Sequence, residues 1–360
     1  MHTLTIEERY MHRCLQLARA GAGYVAPNPM VGAVLVHHNR IIGEGYHREY
    51  GMPHAEVNCI ASVKNADRHL ISESVLYVSL EPCAHYGKTP PCAELIIQHR
   101  IPKVVVGCRD PFPEVNGKGI EKLLAAGITV ITGVLEKECR ELNKRFFTFH
   151  TQHRPFIVLK WAQSRNGAIA ARDGSAVQIS NAYTNRLVHR WRSEEPAILV
   201  GTRTAMLDNP SLTTRLWPGE HPVRLVIDRT LKLPGTLQLY DAKAPTVIFN
   251  EHRHTVPDSD RMLRGGNWFY QVSGEVSIVQ QVISALYHLR IQSVLVEGGA
   301  QILQLFINEN SWDEARIITN ESLVIPGGIK APKLINEMQT GEEHFFSDSI
   351  TYYIHSASKQ

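Results

Sequence analysis

The sequence predicts an α/β protein built from two successive domains, and three observations lead to this prediction. In both halves of the chain, short apolar segments typical of buried strands alternate with segments that carry apolar residues at helical spacing. The length of 360 residues suits two domains. All six cysteines occur by Cys139, which indicates that the two halves differ in chemistry. We place the domains at residues 1–147 and 148–360, because the charged tract 136–155 runs into a proline before a second series of strands begins.

The first half is expected to begin with a helix over residues 7–20, where Tyr10, Met11 and Cys14 recur at helical spacing. A Gly/Pro/Asn loop follows, then a strand at 31–36 with RIIGEGYH as its hairpin partner. The next elements alternate between helix and strand: HAEVNCIASV, SVLYVSL, PPCAELIIQHR, KVVVGC, GIEKLLAAG and ITVITGVL. This order predicts a mostly parallel sheet with helices on both faces. We expect one charged helix in the tract 136–155.

The second half is expected to repeat the α/β pattern. Its predicted strands are FIVLKWA, AILVG, PVRLVID, TVIFN, SVLVEGG and EARIIT. Residues 251–275 are polar and rich in glycine, so we expect an irregular excursion there.

Charge and hydropathy exclude several classes of protein. The formal charge of +3 is too small to indicate a nucleic-acid partner, although it suits a small anionic substrate. Glu7 and Glu8 interrupt the apolar residues of the N-terminal segment, so we expect no signal peptide. We also expect no membrane span and a cytoplasmic location, where cysteines bind metals more often than they form disulfides.

Two fragments carry the chemistry of the first half: HAE at 54–56 and EPCAHYGKTPPC at 81–92. His54, Cys83 and Cys92 supply the three protein ligands of a catalytic zinc site, which leaves one position for water. The order H-x-E, then P-C, then a second cysteine is typical of zinc deaminases that act on nucleobase-type rings. Glu56 is the candidate proton carrier, because zinc activates the water but a carboxylate must move the protons.

Two other interpretations stay open for these residues. They fit a buried histidine, a solvated glutamate and structural thiols without a metal. They also fit a closed structural zinc site, for which His85 is the candidate fourth ligand.

The loop between the two cysteines has eight residues, whereas two residues are usual in such deaminases. This loop, together with PNPMVGAVLV, GEGYH and GMPHAE, resembles the deaminase of bacterial riboflavin biosynthesis over roughly residues 5–145. The resemblance implies a cytidine-deaminase-like α/β/α zinc domain. It also implies that Asn28, His47, Lys88 and Thr89 bind the substrate, and Lys88 and Thr89 suit a phosphate.

The second half resembles the reductase of the same family in LKWAQSRNG, GTRTAMLDNPSLTTR and VLVEGGAQILQLF. The resemblance implies a dihydrofolate-reductase-like α/β domain that uses NADPH. The implied cofactor-binding residues are Ala162, Gln178, Thr204, Asp208, Gly299, Ala300, Gln301, Ile302, Leu303, Gln304 and Leu305. The implied substrate-binding residues are Lys160, Ala176, Arg192, Leu212, Arg215 and Glu297. From the residues alone, the Gly298-Gly299 pair fits either a pyrophosphate-binding turn or a plain tight turn between strand and helix.

The implied function is bifunctional. The first step is hydrolytic deamination of 2,5-diamino-6-(5-phosphoribosylamino)pyrimidin-4-one, and the second is NADPH-dependent reduction of its ribosyl side chain to ribityl. The resemblance also implies a homo-oligomer, a dimer or a tetramer. Phe112, Asn166 and Gln178 depart from the family pattern, and we expect Asn166 and Gln178 to weaken or retune cofactor binding.

Two alternatives belong to other classes. One is a zinc deaminase of nucleosides or tRNA whose reductase-like domain binds nucleotide without being an active reductase. The other is a non-enzymatic nucleotide-binding module joined to a structural zinc domain.

Overall fold

The chain divides into two compact units, Met1–His153 and Arg154–Gln360, in a computed structural model that describes residues 4–86, 90–256 and 265–359. The sequence-based limit at residue 147 lies inside the helix Lys144–Gln152. That helix ends at His153, which adopts a left-handed conformation with φ 54°. Arg154 precedes a proline, which disfavours a helical backbone at that position, so the chain leaves the helix here.

The first unit contains a five-stranded sheet of order β2-β1-β3-β4-β5. Its strands are β1 (Gly32–His37), β2 (Arg40–Tyr46), β3 (Val75–Leu80), β4 (Lys103–Cys108) and β5 (Thr129–Thr132). Its α-helices are α1 (Ile6–Arg19), α2 (Ala55–Ala61), α3 (Cys92–Gln98), α4 (Lys118–Ala125), α5 (Glu136–Leu142) and α6 (Lys144–Gln152), and a 3-10 helix spans Asn65–Glu73. β1 is antiparallel to β2 and β3, and the other neighbours are parallel.

Two apolar cores lie on opposite faces of this sheet, so the predicted three-layer α/β/α arrangement is confirmed. One core packs α2, α3 and α4 against Leu35 and Val104. The other packs α1, α5 and α6 against Val34 and Val105. Neighbouring residues of one strand point to opposite faces, which is why the continuous apolar run KVVVGC serves both cores.

The single helix predicted for 136–155 is wrong, because the chain breaks into α5 and α6 at Asn143. The Asn143 side chain accepts a hydrogen bond from the Met30 N–H at 2.8 Å and donates one to the Met30 carbonyl at 2.9 Å. This pairing holds Asn143 at φ −106° and ψ 23°, outside the helical range.

The second unit contains a nine-stranded sheet of order β11-β10-β9-β8-β12-β6-β13-β16-β15. Its strands are β6 (Phe156–Ser164), β8 (Ala197–Gly201), β9 (Val223–Ile227), β10 (Thr246–Asn250), β11 (Asn267–Gln271), β12 (Ser293–Gly298), β13 (Glu314–Asn320), β15 (Glu337–Phe345) and β16 (Asp348–His355). A small sheet pairs β7 (Ala168–Ala170) with β14 (Ile329–Lys330). The α-helices of the second unit are α7 (Ala182–Glu194), α8 (Thr202–Asp208), α9 (Ile278–His288) and α10 (Ala300–Asn308), with 3-10 turns at Gln238–Tyr240 and Ser356–Lys359.

Helices cover both faces of the large sheet in the second unit. α9 and α10 pack on one face, and α7 and α8 pack on the other. In sheet order, the seven strands from β11 through β10, β9, β8, β12 and β6 to β13 run parallel to one another. Strand β16 is antiparallel to both of its neighbours, β13 and β15. The irregular excursion predicted for 251–275 is partly wrong, because Asn267–Gln271 forms the edge strand β11; residues 257–264 lie outside the described part. No helix in the described part is long and apolar enough to cross a bilayer.

Candidate functional site

The first candidate site begins at the start of α2, against β2. His54 is the N-cap residue of α2, and Glu56 lies in the first turn of that helix. The helix approaches β2 closely, since a Cβ atom on Gly45 would lie 2.2 Å from the backbone nitrogen of Cys59. Gly45, the second glycine of GEGYH, therefore permits the close packing that positions the His54 turn.

Two thiols face His54 from the next strand–helix connection. Cys83 follows β3, Cys92 opens α3, and the Cys92 N–H donates to the Cys83 sulfur at 3.3 Å. His54 Nδ1 lies 3.6 Å from Cys83 Sγ and 3.4 Å from Cys92 Sγ. The three ligand atoms all lie within 4.8 Å of one another.

This donor set fits zinc. Two sulfurs and one imidazole nitrogen are typical zinc ligands, and catalytic sites keep the fourth position free of protein. Within the described ranges, His54, Cys83 and Cys92 form the one cluster of three or more potential ligands, and His85 does not belong to it. Hydrogen bonding with Cys92 and His54 outweighs burial and lowers the pKa of Cys83, which favours the thiolate that a metal needs.

Glu56 lies beside the three ligands without joining them. Its side chain is 3% exposed, and burial raises the pKa of its carboxyl group. It also contacts the Cys92 thiol. Burial that raises the pKa of a carboxyl group makes it easier to protonate, which suits a residue that takes up and then releases a proton in general acid–base catalysis.

His47 and Asn28 form a second polar pair next to His54. The rings of His47 and His54 lie 5.4 Å apart. His47 Nδ1 faces the Pro53 carbonyl at 3.2 Å, so this nitrogen carries the proton. Nε2 then accepts a hydrogen bond from the Asn28 amide at 3.1 Å, and burial lowers the pKa of His47. The ring is therefore neutral and fixed in orientation. Lys88 and Thr89, the predicted phosphate-binding residues, lie outside the described residues.

Sequence reasoning missed Glu81, two positions before Cys83. Its carboxylate is 4% exposed and accepts four backbone hydrogen bonds, from Asp110, Gly117, Gly119 and Ile120, at 3.0 to 3.3 Å. These bonds tie the cysteine loop to the loop that leads into α4. The available signal in the sequence was a glutamate directly before the P-C motif.

The second candidate site is a cavity of about 380 Å³ in the second unit. It lies beside the carboxyl ends of the neighbouring parallel strands β8 and β12, where ligands bind in open α/β sheets. The predicted residues that line it are Lys160, Ala162, Ala176, Gln178, Thr204, Asp208, Glu297, Gly299, Ala300, Gln301 and Leu303.

A cluster of charges lies at the cavity around Glu297. Its carboxylate accepts hydrogen bonds from Arg192 at 2.9 and 2.6 Å. Burial alone would raise the pKa of Glu297, but the charges of Arg192 and Lys160 lower it to about 2. Burial and the charges of Arg192 and Arg215 lower the pKa of His189 to about 4. Because the cations outnumber the carboxylate, the cluster suits an anionic group such as a phosphate.

The turn before α10 brings the main chain to the cavity. Gly299 has φ 71°, a conformation that favours glycine, and a Cβ atom there would lie 3.0 Å from the Thr204 hydroxyl. Such a turn leaves backbone N–H groups free to face a phosphate, and the helix that follows adds its dipole. These features fit a dinucleotide.

The other predicted residues of the second unit do not line the cavity, and Arg192, which reaches it only through Glu297, is one of them. Ile302 and Leu212 are 6% and 2% exposed and belong to the apolar cores. Gln304 bonds to the Lys333 backbone, and Leu305 is 41% exposed. Arg215 is exposed. Its backbone N–H donates a hydrogen bond to His189 Nδ1 at 3.0 Å, and its guanidinium donates one to the Ser211 hydroxyl.

The three departures from the family pattern have distinct surroundings. Asn166 donates to the Ile325 carbonyl at 3.0 Å and accepts from the Ile325 N–H at 3.1 Å, a pair of bonds that an aspartate cannot make. Gln178 lines the cavity and donates to the Ser180 carbonyl at 2.7 Å. The Phe112 ring lies 5.1 Å from that of His150.

Comparisons with known proteins cover both units. Residues 4–108 match the cytidine and deoxycytidylate deaminase zinc-binding region, and residues 155–342 match the RibD C-terminal domain.

Similar proteins match the chain over most of its length. Riboflavin biosynthesis protein RibD of Aquifex aeolicus is 39% identical over 86% of this chain and 85% of its own. The RibD of Bacillus amyloliquefaciens is 40% identical over 92% and 88%. A solved diaminohydroxyphosphoribosylaminopyrimidine deaminase/5-amino-6-(5-phosphoribosylamino)uracil reductase from Thermotoga maritima has a TM-score of 0.86 and 35% identity, covering 97% of this chain and 99% of that one.

Proposed function

The chain belongs to the RibD family of riboflavin biosynthesis proteins, and we propose that its two units act in turn on one phosphorylated pyrimidine. It is a bifunctional deaminase and reductase. The proposed substrates are those in the name of the Thermotoga enzyme: the diamino compound for the first unit and its deaminated product for the second. The observation that carries the proposal is the His54, Cys83 and Cys92 cluster with Glu56 buried beside it.

In the first unit, His54, Cys83 and Cys92 would hold the zinc ion. When bound, zinc supplies a Lewis acid that lowers the pKa of a water molecule. Glu56 accepts a proton from that water and delivers it to the ring nitrogen. The water oxygen would bond to the ring carbon that carries the amino group, and Glu56 would then take the remaining proton of that oxygen and give it to the departing amine. The C–N bond would break, a C=O bond would replace it, and ammonia would leave. The raised pKa of Glu56 suits both directions of proton transfer.

Asn28 and His47 would orient the pyrimidine next to Glu56. The neutral His47 ring fixes the Asn28 amide through its 3.1 Å hydrogen bond, so the amide presents its remaining groups in one direction. We propose that Lys88 and Thr89 bind the ribose phosphate; this assignment stays a prediction from the sequence.

In the second unit, the Gly299 turn and the start of α10 would hold the dinucleotide. When bound, NADPH supplies the reducing equivalent for the sugar carbon C1. Lys160, Arg192 and Glu297 would bind the phosphorylated sugar, because their net positive charge matches its phosphate. Arg215 would add a further cation, with its backbone fixed by His189.

Two predicted alternatives are not favoured. A nucleoside or tRNA deaminase with an inactive second domain is not favoured, because RibD proteins match this chain through both units. A closed structural zinc site is not supported in the described part, because His85 stays outside the ligand cluster. The homo-oligomeric state and the cytoplasmic location stay predictions.

One assay tests the proposal. The phosphorylated diaminopyrimidine is incubated with the zinc-loaded protein, with and without NADPH, and both products are followed by chromatography. We expect the deaminated intermediate alone without NADPH, and the ribityl compound with it. Ammonia release that does not depend on the phosphorylated substrate, or no NADPH oxidation with supplied intermediate, would contradict the assignment of the corresponding unit.

A further inference from the structure

Arg203 is a cation of the cavity wall that the predicted site residues do not include. It lies in α8, directly before Thr204, and it lines the cavity of the second unit. Its guanidinium lies over Gly174: a Cβ atom there would be 2.6 Å from Arg203 Nη2. Gly174 has φ 89° and no side chain, so the loop leaves room for the guanidinium at the cavity.

Arg203 is exposed, and its guanidinium forms no ion pair with a carboxylate in the described part of the chain. Lys160, the other cation of the cavity wall, shares Glu297 with Arg192. Asp173, next to Gly174, is hydrogen-bonded to the Ser175 N–H and hydroxyl instead. Since an arginine fork presents its donors in a plane that matches a phosphate, an uncompensated arginine at a ligand cavity indicates an anionic ligand group.

The position of Arg203 relates this group to the dinucleotide. Thr204 lies against Gly299, in the turn before α10 that we relate to the phosphates of the dinucleotide. The cations around Glu297 come from other elements, β6 and α7, and are the ones we relate to the sugar phosphate. We propose that Arg203 binds the pyrophosphate of the reduced dinucleotide, an inference that rests on the proposed reductase function.

Direct binding measurements test this inference without turnover. NADPH and NADH are each titrated into the full-length, zinc-loaded protein, and the tryptophan fluorescence, to which Trp161 in the cavity wall contributes, reports binding. Because the pyrophosphate is common to both dinucleotides, Arg203→Ala should raise both dissociation constants by a similar factor of about tenfold, the loss expected for one charge-assisted hydrogen bond. Arg203→Lys should recover part of the affinity, since it keeps the charge.

The matched control is Arg186→Ala, which removes an arginine of α7 that is exposed like Arg203 but does not line the cavity. It should leave both dissociation constants unchanged. Deamination, catalysed by the other unit, serves as the check on protein quality and should be normal in every variant.

Four outcomes would overturn the inference. Unchanged dissociation constants for both dinucleotides would remove Arg203 from the site. A weaker affinity for NADPH alone would assign it to the 2′-phosphate. Unchanged dissociation constants together with a higher KM for the phosphorylated intermediate, measured separately by NADPH oxidation, would assign it to the sugar phosphate. A wild-type protein that binds neither dinucleotide would contradict the reductase function itself, and the inference with it.

Discussion

Glu81→Gln tests how the zinc-binding loop is held in place. The substitution keeps the size of the side chain, but it replaces one carboxylate oxygen with an NH2 group. In the native unit, one oxygen accepts from Gly119 at 3.0 Å and Ile120 at 3.3 Å. The other accepts from Gly117 at 3.0 Å and Asp110 at 3.3 Å. A glutamine can serve only one of these pairs, so two buried N–H groups would face a donor.

The expected cost follows from these contacts. A buried donor without an acceptor costs about 1–3 kcal/mol, so two such groups cost about 2–6 kcal/mol. Domains of this size are stable by about 5–15 kcal/mol, so the unit should still fold. The loop that carries Cys83, two residues after Glu81, should open more readily and release its metal.

The assay follows zinc release into a chromophoric chelator as urea is raised. Hydrogen exchange of the amides at 117–120 gives a second, local reading. Glu94→Gln is the matched control: Glu94 is a partly exposed residue of α3 whose carboxylate pairs with Lys122 at 2.5 Å and accepts a hydrogen bond from the exposed Tyr86 hydroxyl at 2.5 Å. Exposed pairs contribute at most about 1 kcal/mol, so the control should release zinc almost like the wild type.

A Glu81→Gln protein that releases zinc at the wild-type urea concentration and keeps its amides protected would refute the reasoning. It would show that the four hydrogen bonds add no net stability to the loop. Equal effects of Glu81→Gln and Glu94→Gln would also contradict it, because burial distinguishes the two carboxylates.

Further predictions separate the two units. Cys83→Ser should lose zinc and deamination together, because a hydroxyl is a poor ligand for this metal; metal analysis showing full zinc would contradict that. Glu56→Gln should lower deamination by about 10²–10⁴ while zinc content and reduction of supplied intermediate stay normal. Arg215→Ala should do the reverse, impairing reduction only, and equal loss of both activities in either variant would reject two independent sites. Because its folded pKa is lowered to about 2 from 4.5, Glu297 stabilises the second unit above pH 4.5, and this contribution disappears as the pH falls towards 2. Glu297→Gln should abolish this pH dependence and cost about 3–5 kcal/mol at neutral pH, since Arg192 loses its partner; tryptophan fluorescence during acid and urea titrations measures both effects.

The zinc site was predictable because its residues occur in two short fragments whose order carries the chemistry. His54 and Glu56 share one helical turn, and Cys83 and Cys92 flank one loop, so local sequence nearly defines the cluster. The buried strands were predictable for a similar reason, since KVVVGC and SVLVEGG are continuous apolar runs.

Features that depend on distant partners were not predictable from pattern. The break at Asn143 comes from its bonds to Met30, which is 113 residues away in sequence. Strand β15 is mostly exposed at the sheet edge and lacks both an apolar run and clean alternation. The sequence does not distinguish Arg203 from a solvated helix residue, because its position over Gly174 depends on the fold.

The uneven distribution of cysteines has a consequence for cells under oxidative stress. All six thiols belong to the first unit, and Cys83 is the one that is not fully buried. An oxidant that reaches the metal-free thiols would stop deamination and leave the thiol-free reductase intact. Because the reductase needs the product of the first unit, its demand for NADPH would cease at the same moment. Flux through the pathway would therefore halt before reducing power is consumed, and it would resume when the thiols are reduced and zinc returns.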